Sequence, residues 1–157
     1  ASAQNVVNRT KSICVGLEPC VIPALGHSNF KIEDGTMEFG VGHHGEAGTK
    51  VEKLKSASEM AQEMAETILN DFDFEEGKEV AVMLSSLGAT PVMELYVLYD
   101  EVEKVLAKAG HKVWKTYIGN YVTSLDMNGA SLTIVDLDDE IKELLSEPAV
   151  PIGMKNY

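Results

Sequence analysis

Basic charge is scarce in this sequence. Only 13 lysines and arginines stand against 25 aspartates and glutamates, giving a formal net charge of −12 and a pI near 4.7. A phosphate-binding surface needs a basic patch and none is visible, so the balance argues against nucleic acid and against an anionic membrane surface. Long apolar runs are missing as well. None approaches the ~18 residues of a membrane span, and no signal-peptide pattern opens the chain. Cysteine occurs twice, at Cys14 and Cys20, six positions apart and without metal-ligand spacing. This reads as two reduced thiols in a cytosolic protein rather than a disulfide. There is no Walker lysine, no internal repeat, and no serine or cysteine arrangement that stands out for nucleophilic catalysis.

What is present suits one globular domain. A chain of 157 residues is long enough to bury roughly 70% of its unfolded surface. After a lead-in at "ASAQNVVNRTKS", "ICVGL" predicts a short strand, and "EPCVIPALGHSNF" an extended, turn-rich connection. Between Ser56 and Asp71, apolar residues Ala57, Met60, Ala61, Met64, Ala65, Ile68 and Leu69 recur at helical spacing. "KEVAVML" predicts a buried strand, and "SSLGATP" a strand-to-helix loop with Thr90 as N-cap and Pro91 as the first helical residue. That helix buries Leu95, Leu98, Val102, Val105 and Leu106 and ends at Gly110. "KVWKTYI" is a strand carrying Trp114 and Tyr117, which with Tyr121 suit a core or interface. The Asn128-Gly129 turn precedes the strand "SLTIVDL", and Asp136 to Glu147 reads as the solvated face of a last helix. The prediction is an α/β domain with a single mixed sheet, helices packed on it, and crossover connections late in the chain.

The stretch "MEFGVGHHGEAG", Met37 to Gly48, is the one that asks for a purpose: it holds four glycines, two adjacent histidines and Glu46. Glycine costs backbone entropy in a strand and packs nothing. Alternation from Met37 to His43 predicts a strand with Met37, Phe39, Val41 and His43 on one face. Glu38, Gly40, Gly42 and His44 would share the other, leaving His44 uncrowded by its neighbours. Two readings stand: a structural histidine capping a glycine-rich turn, or a histidine with room for a ligand. A metal would need Glu46 and a remote residue such as His27 beside His44, because His43 and His44 would point apart.

Taken together, "PCVIPALG", "MEFGVGHHGEAG", "SSLGATPVMELYVLYDEV" and "YIGNYVTSLDMNGASLTIVDLDDE" resemble, in order, the substrate-binding subunits of the dihydroxyacetone kinases, over Ile13 to Pro148. The resemblance implies that His44, matching the histidine of the family's H-G-E-P-G motif, adds through a ring nitrogen to the carbonyl of dihydroxyacetone, forming a covalent hemiaminal. Gly42, Gly45 and Glu46 would line the substrate. An imidazole, with an ordinary pKa of about 6.5, is largely neutral and nucleophilic near neutral pH. The tether would select ketoses and aldehydes over glycerol and lower the entropic cost of aligning a hydroxyl with a phosphoryl donor.

The chain departs from the family pattern in two places: Ala47 replaces the motif's proline, and His43 a usually aliphatic residue. It also lacks the family's glycine-rich segment with its own histidine and aspartate, the acid/base groups. The resemblance therefore implies the second, histidine-bearing domain of a subunit about twice this length, and the start at Ala1 agrees with an excised piece. That domain would be inactive alone. It would carry no cofactor, ATP or ADP with magnesium sitting on a nucleotide-binding partner subunit or domain. The full subunit is expected to be a cytoplasmic homodimer. The rival expectation is a non-catalytic dihydroxyacetone receptor or co-activator. A remoter relative by fold is the DegV-type fatty-acid-binding protein, but the hydrophilic "GHHGEAG" loop argues against a lipid tunnel.

Overall fold

The computed structural model describes residues 2–28, 30–71 and 77–154. Its elements follow in chain order: α1 (Ser2–Asn8), β1 (Thr10–Glu18), β2 (Thr36–Phe39), β3 (Lys50–Lys53), α2 (Ala57–Asn70), β4 (Glu79–Ser86), α3 (Val92–Lys108), β5 (Lys112–Gly119), β6 (Asn128–Asp136) and α4 (Asp139–Ser146). The six strands form one mixed sheet in the order β3-β2-β1-β6-β4-β5. Only β4 and β5 run parallel, joined by a crossover through α3; the other neighbours are antiparallel. Strand β6 lies between β1 and β4 and pairs with both.

Alternation along the strands divides the core. Val15, Met37, Phe39, Val80, Val82, Leu84, Leu132 and Ile134 meet Met64 and Ile68 of α2 and Leu95, Val102 and Leu106 of α3 on one side. Each such side chain stabilises the fold by roughly 1.5–3 kcal/mol on burial. A smaller cluster of Ala81, Leu137 and Ile141 backs onto Val6, Trp114 and Leu145. A third, of Cys14, Cys20, Val41, Leu87 and Met127, gathers the connections around β1. Both cysteines are unpaired and buried.

Local chemistry sets the helix ends. Ser56 and Glu59 form a reciprocal capping box on α2, and Asp138 accepts from the Ile141 amide at 2.8 Å to start α4. The expected cap on α3 is different. Pro91 occupies the N-cap with no side-chain hydrogen bond. The Thr90 hydroxyl instead accepts from the Gly129 amide at 2.8 Å and faces Asn128 Oδ1 and the Gly129 carbonyl, tying this loop to the start of β6. Asn128 and Gly129 are thus strand residues, not a turn before one. The acidic run from Asp136 is not wholly solvated either. Asp136 is buried and ion-paired with Arg9, which also reaches Asp138 at 3.3 Å, because β6 delivers it beside the end of α1.

Candidate functional site

Strand β2 stops at Phe39, four residues short of the predicted end. Gly40, whose amide makes a last in-register bond to the Cys14 carbonyl of β1 at 2.7 Å, adopts φ +78°, open to glycine but strained for other residues. The alternation of faces ends there, so Gly40, Gly42 and His44 do not form a bare strand face. Residues 42–45 instead make a tight turn, Gly45 N donating to the Gly42 carbonyl at 3.1 Å, with His43 and His44 at its centre. The chain then returns: Gly42 N donates to the Glu46 carbonyl at 2.9 Å, and Thr49 N to the Phe39 carbonyl at 2.8 Å.

This turn puts the two histidines in different surroundings. His43 is half-buried, with Nε2 enclosed and lacking a hydrogen bond from the described residues. The His44 side chain is 88% exposed and its Nδ1 lies 3.0 Å from Glu46 Oε1. The second carboxylate oxygen, Oε2, accepts from the His44 amide, also at 3.0 Å. Glu46 can fold back this way only over a glycine: a Cβ on Gly42 would lie 2.1 Å from Oε2. The Glu46 carboxyl is held below the usual carboxylate range, first by its own backbone N–H, then by the His44 ring and amide.

Sequence reasoning missed Glu38 as a support of the loop. It is buried in β2, and its carboxylate accepts from the Gly48 amide, pinning the returning limb to the sheet. The available signal was an ionisable residue inside a strand flanked by buried apolar neighbours. His27 is not brought to His44; its Nδ1 lies 2.9 Å from the Ser28 carbonyl. Among the described residues no three His, Cys, Asp or Glu side chains gather to hold a metal. Gly40, Gly42 and Gly45 do spell G-x-G-x-x-G, but the segment returns into β3 and opens no helix, so the phosphate-cradle context is missing. The "SSLGATP" loop is bonded both within itself and to the segment after β5. The fully buried Ser85 hydroxyl accepts from the amides of Tyr121 and Val122, and Ser86 from that of Gly88.

Chemically, the site is a protruding imidazole oriented by a carboxylate, without walls of its own. It can offer a nucleophile; it cannot enclose a small molecule.

The family model described as the Dak1 domain matches residues 1–152. The dihydroxyacetone-binding subunit DhaK of PTS-dependent dihydroxyacetone kinase 1 from Listeria innocua is 40% identical over 140 residues, covering 89% of this chain and 43% of that protein. Among solved structures, the dihydroxyacetone kinase operon co-activator Dha-DhaQ superposes with a TM-score of 0.87 at 28% identity, over 94% of this chain and 46% of that one. The dihydroxyacetone kinase from C. freundii in complex with AMP-PNP and Mg2+ gives 0.80 at 27%, over 92% of this chain and 26% of that one. The chain thus spans less than half the length of these relatives.

Proposed function

The chain belongs to the Dak1 family, and from that premise we propose that it is the histidine-bearing domain of a dihydroxyacetone kinase, holding the triose on His44 while a separate subunit or domain supplies the phosphoryl group. One observation carries this: the matched histidine is the most exposed feature of a glycine-flanked turn, with one ring nitrogen engaged by Glu46 and no hydrogen bond from a described residue at the other. The free nitrogen adds its lone pair to the ketone carbon. The carbonyl electron pair becomes an alkoxide that takes up a proton, and the product is a hemiaminal. Glycerol, lacking a carbonyl, is refused. Gly42 and Gly45 leave the approach to the ring without side chains, and Glu46 borders it.

An open site of this kind orients a small ketose only when a second surface closes over it. The reading therefore assigns the acid/base groups to another domain, and ATP or ADP with magnesium to a nucleotide-binding partner; without them the domain does not turn over. A homodimer of the longer subunit in the cytoplasm completes the proposal.

A second reading is favoured by the co-activator structure, whose TM-score of 0.87 exceeds the 0.80 of the kinase: the domain senses dihydroxyacetone without phosphorylating it. Intact-mass spectrometry after incubation with dihydroxyacetone and rapid desalting tests the shared step. Wild type is expected to gain the mass of one triose and His44→Ala none; absence of the adduct in the full-length protein too overturns both readings. Phosphorylation of the triose by the full-length protein with its nucleotide-bearing partner then separates kinase from receptor.

A further inference from the structure

Both oxygens of the Glu46 carboxylate engage His44. Oε1 faces His44 Nδ1 and Oε2 accepts from the His44 amide, each at 3.0 Å. An ionised carboxylate only accepts hydrogen bonds, so the ring nitrogen facing it must carry the proton. In a neutral imidazole the other nitrogen is then the one with the lone pair. We infer that Glu46 is a positioning residue that fixes His44 in its Nδ1-protonated tautomer, so that Nε2 is the atom presented to the substrate carbonyl. This rests on the reading of His44 as the attachment residue.

The opposite tautomer is the more populated one in a free histidine, so the nucleophilic arrangement at Nε2 has to be imposed. Glu46 imposes it from two residues away, on a loop whose limbs are held by Glu38 and Phe39. Its charge also suits the reaction's course. As Nε2 bonds to the ketone carbon, the ring becomes an N-substituted imidazolium, and the positive charge develops beside the Glu46 carboxylate. The carbonyl electron pair moves to oxygen, which takes a proton from water. The Nδ1 proton is then released to solvent, leaving a neutral ring and a neutral hemiaminal; no oxidant or further reactant is needed. The two-oxygen grip explains why an amide would not serve. Glutamine has one acceptor, so it must place its NH2 group against either the His44 amide or Nδ1, and the second choice reverses the tautomer.

The test is nitrogen-15 NMR of the imidazole rings in the full chain, without substrate, at a pH where imidazole is neutral. The sequence has four histidines, and the signals lost in His44→Ala assign the ring. Wild type is expected to show Nδ1–H and unprotonated Nε2; Glu46→Ala is expected to shift the population to Nε2–H. Glu46→Gln is expected to do the same or to populate both forms. Glu46 is 60% exposed, so both variants should fold. An Nε2–H ring in wild type, or an unchanged Nδ1–H ring in Glu46→Ala, overturns the inference. In the mass assay with dihydroxyacetone, both variants are expected to lose adduct occupancy several-fold, and wild-type occupancy in a variant whose tautomer has shifted overturns it as well. A wild-type ring protonated at Nδ1 that never forms an adduct supports the positioning role while refuting the attachment role of His44.

Discussion

Replacing Gly42 by alanine perturbs the loop without replacing either functional side chain. The new Cβ would lie 2.1 Å from Glu46 Oε2 and 2.8 Å from both Glu46 Cβ and Cδ. The φ of Gly42 is not positive, so alanine can take the backbone conformation and the strain falls on Glu46. For the carboxylate oxygen to reach even ~3 Å from the methyl group it must retreat by roughly 1 Å. Its 3.0 Å bonds to the His44 amide and ring then stretch toward ~4 Å, beyond hydrogen-bonding reach. Gly42→Ala should therefore reproduce Glu46→Ala while leaving the carboxylate in place. The Nδ1–H tautomer should be lost, and apparent affinity for dihydroxyacetone should fall roughly five- to tenfold, in proportion to the competent fraction of the ring. Nitrogen-15 NMR of His44 and titration of adduct formation by intact mass measure the two effects. A variant that binds weakly with its tautomer intact would show that the methyl group only obstructs the substrate, and would refute the reasoning.

Arg9→Met should destabilise the fold by ~2 kcal/mol, reduced from the full cost of an unpaired buried charge because Arg9 is partly solvated, leaving Asp136 buried without its cation. Denaturant unfolding checks this, and adding Asp136→Asn should recover most of the loss; an unchanged midpoint in the single variant refutes it. Burial pushes the Cys14 thiol up to about 11 from its ordinary 9.0, so the native protein should resist alkylation there near pH 8. The sign for stability follows from the raised value: the contribution is complete below pH 9.0 and is lost as pH rises through about 11. Stoichiometric labelling of Cys14 in the folded chain would contradict both statements.

How far the sequence revealed this molecule depended on whether a residue's partner was near or far. Helix α2 was legible because Ala61, Met64, Ala65 and Ile68 bury one stripe; the capping box Ser56/Glu59 at its start came from the structure. The mixed sheet and the crossover through α3 followed from buried strands separated by a long helix. Strand β3 left no trace: Lys50–Lys53 is an edge strand with every residue exposed or half-buried, so no apolar pattern marks it. Near His44 the pattern misled. Val41 is buried and seemed to continue the alternation of Met37 and Phe39, yet it belongs to a different cluster, with Cys14 and Met127, reached after Gly40 has turned the chain. The candidate residues His44, Gly42, Gly45 and Glu46 were legible as a motif; the carboxylate grip was not, because it depends on a turn rather than a strand. Thr90 shows the same limit at longer range, since its partner Gly129 is 39 residues away.

The placement of β6 has a consequence for how the chain reaches this state. β6 is the last of the described strands and is bonded on both edges, to β1 and to β4. Until Asn128–Asp136 is in place, the strands can pair only as two separate units, β3-β2-β1 and β4-β5, each with an open edge. Closing the sheet joins positions more than a hundred residues apart, Lys11 with Ile134 among them, and such long-range pairing slows folding and exposes edges in the meantime. During synthesis the loop bearing His44 would emerge before β6, and its anchoring strand β1 would stand unpaired along one side until Asn128–Asp136 follows.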